Sequence, residues 1–310
     1  MYALSLDSIK RQYYAALNKS KEIKRLSLTS CFDLNELIAD KNRSIKNDLK
    51  LKLVKRQLLK SIRNGDFYPV YQPLYNCLSG DIYGAEVLSR ISAVNNKKIP
   101  PITFIPLIER TNLMGLFGDW VLERSINDLG KWREDGLVDK DFLLSVNVSA
   151  TQLEDGDFYG RLVAYIEENN LHARNIQLEI TETKKLKHLD VVNKQITRIK
   201  RAGITIALDD FGTGYSNIIY LNKFNIDCLK IDKEFLLKTK RSEKQETVIH
   251  SMVLMANKLK INIICEGVET YEQRSFLESI GCYCHQGKLV SMPVSEKEFL
   301  SQYKEYQANC

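Results

Sequence analysis

The chain has 310 residues, 44% hydrophobic and 27% charged, the balance of a globular protein that buries a core; disorder as its main state is excluded. No apolar run approaches the roughly 18 to 20 residues that cross a bilayer. Asp7, Lys10 and Arg11 interrupt the N-terminus where a secretory signal needs its apolar stretch, so a cytoplasmic protein without a membrane span is expected. The net charge of +6 sits at one end, because residues 1–65 hold 15 basic and 6 acidic side chains, leaving 30 and 33 for the remainder.

Residues 1–44 show weak periodicity, with mixed stretches around Ile9–Leu17 and Phe32–Ile38, and are expected to form an irregular, partly helical extension. From Ile45 to Ile62, Leu49, Leu53, Leu58, Leu59 and Ile62 recur near helical spacing between lysines and arginines, and Asn64-Gly65 supplies a stop. This predicts a lead-in helix. The basic head carries no finger, glycine-aromatic RNA motif or helix-turn-helix, so a solvated helix is favoured over a nucleic-acid partner. The domain organisation expected is a basic, mainly helical extension over 1–65 and one domain over 66–310.

After Asp66 short β-rich runs alternate with longer helical patterns. The strand candidates are Phe67–Tyr71, Ile82–Leu88, Phe142–Asn147, Ile176–Ile180, Ile204–Asp209, Ile226–Ile231, Ile261–Glu266 and Cys282–Gln286. Helical stretches fall at Pro106–Arg110, Trp120–Glu134, Phe158–Asn169, Val191–Ala202, Lys244–Leu259 and Tyr271–Ser279. Eight strands alternating with helices predict an α/β fold with a mostly parallel sheet, a (β/α)8 TIM-like barrel, with a doubly wound open sheet as the alternative.

Seven scattered cysteines in a chain of this size read as reduced thiols. Cys282-x-Cys284-His285 lacks a second ligand pair at zinc-finger spacing, and His172, His188 and His250 make no constellation, which disfavours zinc and imidazole catalysis.

The chemistry lies at the ends of the strand candidates. Asn147, Glu179, Asp209 with Asp210, and Glu266 close their runs; Lys230 lies near the end of its own, and Glu86 falls within Ala85–Leu88. In a barrel the carboxyl ends of parallel strands face one mouth, so these residues would converge. Five carboxylates in one pocket need counter-charge, and an all-oxygen donor set suits Mg²⁺ or Mn²⁺ rather than zinc. An Asp-Asp pair lets one carboxylate bridge two ions, the arrangement used in metal-assisted phosphodiester cleavage. Any one of these acids alone reads as a helix cap; their coincidence at strand termini favours a site. The loop Asp209–Ser216 is not a dinucleotide fingerprint, having Asn217 at the third glycine position and two aspartates before it, and Gly281–Lys288 fails as a phosphate loop.

At these residues the chain resembles the EAL domain family of bacterial phosphodiesterases that hydrolyse cyclic di-GMP. The resemblance covers about Asp66 to Pro293. It is carried by Tyr71-Gln72-Pro73, Glu86-Val87-Leu88, Ser145–Ser149, Glu179-Ile180-Thr181-Glu182, Asp209-Asp210-Phe211-Gly212-Thr213-Gly214-Tyr215-Ser216, Lys230-Ile231-Asp232, Glu266-Gly267-Val268-Glu269 and Gln286-Gly287. It implies a barrel with one antiparallel strand, two Mg²⁺ or Mn²⁺ ions, hydrolysis to linear pGpG in motility and biofilm signalling, and a homodimer.

By that resemblance Glu86, Asn147, Glu179 and Asp209 would hold the first ion and Asp209 and Asp210 the second, with Glu266 in support. Lys230 would orient or deprotonate the attacking water, with positioning preferred to base catalysis. Arg90 would contact phosphate; Gln72, Asp232 and Gln286 would lie on the substrate side. Glu182 would stand near the metal site and Glu269 would steady the aspartate-glycine loop. Val87 replaces the alanine that helps name the family, an apolar change a strand tolerates. Lys288 and Val290 stand where aromatic residues are usual, which bears on substrate affinity. The competing reading is a silent relative that binds cyclic di-GMP or a protein; such relatives are expected to lose metal ligands, and here every matched ligand is present.

Overall fold

The computed structural model describes residues 44–92, 98–181, 188–212, 217–236 and 243–308, so the expected extension before residue 44 lies outside the described residues. The described chain divides into two compact units. The first runs through Phe67 and resumes at Ile91–Thr111; the second is Tyr68–Arg90 and Asn112 onward.

In the first unit, helix α1 (Ser44–Asn64) realises the lead-in helix. Val54, Leu58 and Ile62, spaced four apart, fall on one stripe and are buried, while Lys52, Lys55, Arg56, Lys60 and Arg63 stay exposed. Helix α2 (Pro101–Arg110) packs on α1 and buries Phe104, Leu107 and Ile108. It opens on Pro101, whose fixed φ suits the first turn. Phe67 meets Phe104 edge to face, with ring centroids 5.5 Å apart. A two-residue strand (Lys98–Ile99) pairs antiparallel with Ile91 and Ser92.

The second unit is built on a closed ring of eight strands. In chain order, and counting the two-residue strand as β3, these are β1 (Phe67–Asn76), β2 (Asp81–Ser92), β4 (Leu143–Val148), β5 (Ile176–Thr181), β6 (Thr205–Phe211), β7 (Cys228–Ile231), β8 (Asn262–Cys265) and β9 (Cys284–His285). From β2 through β4 to β9 each strand runs parallel to the next, and β1 lies antiparallel to β9 while also pairing with β2. An open doubly wound sheet would leave two free edges; pairing of β1 on both sides closes the barrel. Helices α3 (Met114–Glu134), α4 (Ala150–Leu153), α5 (Phe158–Glu168), α6 (Leu189–Arg201), α7 (Asn217–Lys223), α8 (Glu243–Leu259), α9 (Tyr271–Ser279) and α10 (Glu296–Ala308) follow or connect these strands.

The parallel strands read as near-continuous apolar runs because both of their faces are covered. Every residue of β7 is buried, and Leu144, Val146, Leu178, Ile180, Ile206 and Leu208 are buried against the helices or within the ring. An aromatic group formed by Tyr71, Trp132, Phe142, Phe299 and Tyr303 seats α10, with ring centroids 4.7 to 6.3 Å apart. Its polar atoms are satisfied: the Tyr71 hydroxyl donates to Asp128 at 2.7 Å and the Trp132 indole to Glu296 at 2.7 Å. No described helix is long and apolar enough to cross a membrane.

Candidate active site

Side chains alternate across a strand with period two, so residues two apart share a face. On the inner face, Leu74, Ala207, Cys228 and Ile264 form a buried apolar cluster. The neighbours two positions along the same strands are Gln72, Asp209, Lys230 and Glu266, which replace the apolar lining by charge. Joined by Glu86, Asn147, Glu179 and Gln286, they make one polar cluster.

Lys230 is its centre and is fully buried. Its Nζ lies 2.7 Å from Glu266 Oε1, 2.8 Å from the Glu179 carboxylate, 2.9 Å from Glu86 Oε2 and 3.8 Å from Asp209 Oδ1. Around Glu86 the net is dense. Asn147 Nδ2 donates to its Oε1 at 3.0 Å and Gln286 Nε2 to its Oε2 at 2.6 Å. Gln286 Nε2 also reaches Gln72 Oε1 at 3.0 Å, and Gln72 Nε2 donates to the Ser291 carbonyl at 3.2 Å. Gln286 is held there by Gly287, at φ +156°, where a Cβ would stand 2.3 Å from both the backbone nitrogen and oxygen of Val268. Asp210 takes the left-handed conformation at φ +53°, which turns the two adjacent aspartates in different directions at the end of β6.

Four carboxylates facing one ammonium leave excess negative charge, and the protonation equilibria register it. Burial works to lower the Lys230 ammonium, but the charges of Asp209, Glu179, Glu266 and Glu86 overcome it and hold its pKa well above the usual lysine range. Burial would raise Glu86; Lys230, with hydrogen bonds from Gln286, Lys230 and Asn147, brings it below its ordinary value. Glu179 goes the other way, driven well up by burial and then by the Glu86 charge. Asp209 is likewise raised, chiefly by burial. Glu266 is pushed up to about 8 by burial and then by Asp209 and Glu86, despite Lys230. Asp210 rises to about 6 through burial and the charges of Asp209 and Asp232.

The donor set fits a hard divalent cation. It is all oxygen, it holds more carboxylates than its one lysine neutralises, and Asp209 Oδ1 is buried without a hydrogen-bond partner among the described residues. Asn147 spends its amide hydrogen on Glu86, which leaves Oδ1 as the atom for an ion. Among the described residues no three of His, Cys, Asp and Glu stand ready to close on an ion as arranged. The carboxylates are turned onto Lys230 instead, so ion binding would trade lysine contacts for coordination.

The remaining expected site residues fall at varying distances from this cluster. Asp232 is buried at the end of β7 and caps the turn Lys233–Phe235 by accepting from the Glu234 amide at 2.7 Å, while also hydrogen bonding Asp210. Arg90 is half-buried, donates to the Ser89 carbonyl at 2.9 Å and feels the charge of Glu86. Glu269 is exposed just before α9, where its backbone amide donates to Gln273 at 2.7 Å. Residues 213–216, which it is expected to steady, and Glu182 lie outside the described residues. Lys288 is exposed and Val290 half-buried. Cys77, Cys228, Cys265, Cys282 and Cys284 are free thiols. His285, with Nε2 at 2.9 Å from the Cys282 carbonyl, is a buried residue of β9. Ser145 and Gln177 touch the cluster and were given no site role from the sequence, Ser145 entering only within the Ser145–Ser149 segment. The signal that finds them is period two, since they stand two residues before Asn147 and Glu179.

A family model described as the EAL domain matches residues 55–293. An uncharacterized protein of Mycobacterium tuberculosis is 36% identical over 250 residues, 81% of this chain and 39% of its own length. A cyclic di-GMP phosphodiesterase of Pseudomonas aeruginosa is 32% identical over 228 residues, 74% of this chain and 38% of its own. The chain thus spans about two fifths of the length of these curated relatives. Among solved structures, the EAL enzyme Bd1971 bound to cAMP and cyclic di-GMP superposes with a TM-score of 0.77 at 28% identity, covering 95% of this chain and 79% of that one. The PaMucR phosphodiesterase in complex with c-di-GMP gives 0.73 at 28% identity, covering 80% and 99%.

Proposed function

The chain belongs to the EAL domain family, and from that premise we propose that it is a metal-dependent phosphodiesterase hydrolysing cyclic di-GMP to linear pGpG. The observation that carries this reading is the convergence of Glu86, Glu179, Asp209 and Glu266 on Lys230, with Asp209 Oδ1 in a long 3.8 Å ion pair and no hydrogen bond among the described residues. The relative named a cyclic di-GMP phosphodiesterase and the neighbour solved with that ligand support the choice of substrate.

Two Mg²⁺ or Mn²⁺ ions would be held by Glu86, Asn147, Glu179 and Asp209 on one side and by Asp209 and Asp210 on the other, with Glu266 in support. Bound there, such ions polarise a phosphoryl oxygen and acidify water. Everything else is work for the chain itself. Lys230, set among these carboxylates with its Nζ aimed into the site, would orient the attacking water as a donor. Glu86, pinned by Asn147 and Gln286, presents a fixed carboxylate. Arg90 offers a planar guanidinium to the substrate phosphate, and Gln72, Gln286 and Asp232 face the rest of the substrate. Glu182 and Glu269 support the loop after Asp210. In this reading residues 66–310 are the catalytic domain, 1–65 an extension with another task, and the protein acts as a cytoplasmic homodimer that lowers the messenger controlling motility and biofilm formation.

The test is direct. Purified protein is incubated with cyclic di-GMP, with and without each ion, and products are separated by chromatography. Ion-dependent pGpG is expected; tight binding of uncleaved cyclic di-GMP with either ion present would establish the silent-relative reading instead.

A further inference from the structure

Ser145 lies on β4 two residues before Asn147 and is fully buried. Its Oγ stands 2.6 Å from Glu179 Oε1 and 3.1 Å from Gln177 Oε1, both on the neighbouring strand β5, where the register pairs Ser145 with Gln177 and Asn147 with Glu179. A hydroxyl has one proton and cannot donate to both oxygens. The shorter contact, to a carboxylate, takes it. Two oxygens would then face each other at 3.1 Å between Ser145 and Gln177 unless the amide is turned over, which exchanges its oxygen and nitrogen without moving the side chain. With the amide reversed, Gln177 Nε2 donates to Ser145 Oγ and Ser145 donates to Glu179, so three buried side chains form one directed chain beneath the site.

Glu179 has few other holds. It is fully buried, its remaining ion-pair partner among the described residues is Lys230, and the side chains deeper in the ring, Ala207, Cys228 and Ile264, offer it no strong donor. We infer that Ser145, backed by Gln177, is the positioning residue for Glu179, fixing its carboxylate so that it faces the ion site. The inference rests on Glu179 being an ion ligand, as proposed above. Partners that orient metal ligands are typically worth 10- to 100-fold in metal affinity or activity.

The test measures Mn²⁺ binding by electron paramagnetic resonance of the free ion, on wild type, Ser145→Ala and Ser145→Thr, together with melting temperature and the kinetics of cyclic di-GMP hydrolysis at several Mn²⁺ concentrations. Ser145→Ala is expected to bind Mn²⁺ about 10- to 100-fold more weakly, with kcat recovering toward wild type as Mn²⁺ is raised, and Ser145→Thr, which keeps the hydroxyl, to restore affinity. Should Ser145→Ala fail to fold, Ser145→Cys, nearly isosteric and a weak donor, takes its place with the same expectation. A lowered melting temperature with unchanged Mn²⁺ affinity would overturn the inference and leave Ser145 a packing residue. Absence of Mn²⁺ binding by the wild type would overturn the proposed function, and this inference with it.

Discussion

At the scale of single residues, the site works through charge held under tension. Lys230 satisfies several carboxylates at once, and removing it would strand them in a buried place. Lys230→Ala is therefore expected to destabilise the ion-free protein by about 3–5 kcal/mol, the cost typical of leaving buried charge uncompensated. Part of that loss should return on adding Mn²⁺, which supplies the missing positive charge; thermal melts of both proteins with and without the ion check this. Asp209→Asn and Glu86→Ala should abolish turnover and leave the circular dichroism spectrum native, because each keeps or reduces side-chain volume while removing an anionic donor. The members of the polar cluster were legible in the sequence where an acid or amide stood at a strand end. Ser145 and Gln177 were not, because a serine and a glutamine inside a β-run look like ordinary strand polar residues until the facing strand is known. The use of Asp232 as a turn cap was hidden for a similar reason, since capping and substrate contact draw on the same carboxylate.

At the scale of elements, Gln286 depends on backbone geometry more than on its own side chain. Gly287→Ala would drive a methyl group into the Val268 peptide at 2.3 Å and shift the segment that brings Gln286 to Glu86. Loss of activity is expected with a drop in melting temperature, and Gln286→Ala, which keeps the backbone intact, should lower activity with a smaller drop in melting. All eight barrel strands were readable from their β-rich runs, yet their limits moved. β1 continues to Asn76 through Pro73, which lies outside the register with β9 at Tyr75 and Asn76. Helix α3 begins at Met114 rather than near Trp120, its first turns masked in the sequence by Gly115 and Gly118. Helix α2 begins one turn earlier than Pro106, at Pro101. Helix α10 gave no usable periodicity, as Phe299 and Tyr303 are its only buried residues in an otherwise polar stretch. The two-residue β3 and the short α4 and α7 lie below the length at which periodicity can be read.

At the scale of the whole molecule, barrel closure was not decidable from alternation alone, since an open sheet gives the same strand–helix rhythm. What decides it is β1 pairing with both β2 and β9, a contact between segments roughly 200 residues apart. Closure gathers the acids, and the gathering sets the pH response. Glu266 titrates near 8 against an ordinary 4.5, and Asp210 near 6 against 3.8. A carboxyl whose folded pKa is raised binds its proton more tightly in the native state. Its stabilising effect is complete below the unfolded pKa and disappears as pH climbs through the folded one. The ion-free protein should therefore lose stability between about pH 4.5 and 8, the interval spanned by Glu266. Divalent ions compete with those same protons, so the rise in melting temperature caused by Mn²⁺ should be larger at pH 8 than at pH 6. Equal shifts at both pH values would show that the raised carboxyls are not the ion ligands.

In the proposed function, acids from separate strands share two cations at one rim of the ring. The most direct measurement is a crystal structure of the protein soaked in Mn²⁺, with data collected for anomalous scattering. Two peaks are predicted, one within about 2 Å of oxygens from Glu86, Asn147, Glu179 and Asp209, and a second between Asp209 and Asp210. Strong Mn²⁺ peaks elsewhere with none at this rim, while Lys230 keeps its contacts to Glu86, Glu179 and Glu266, would contradict it.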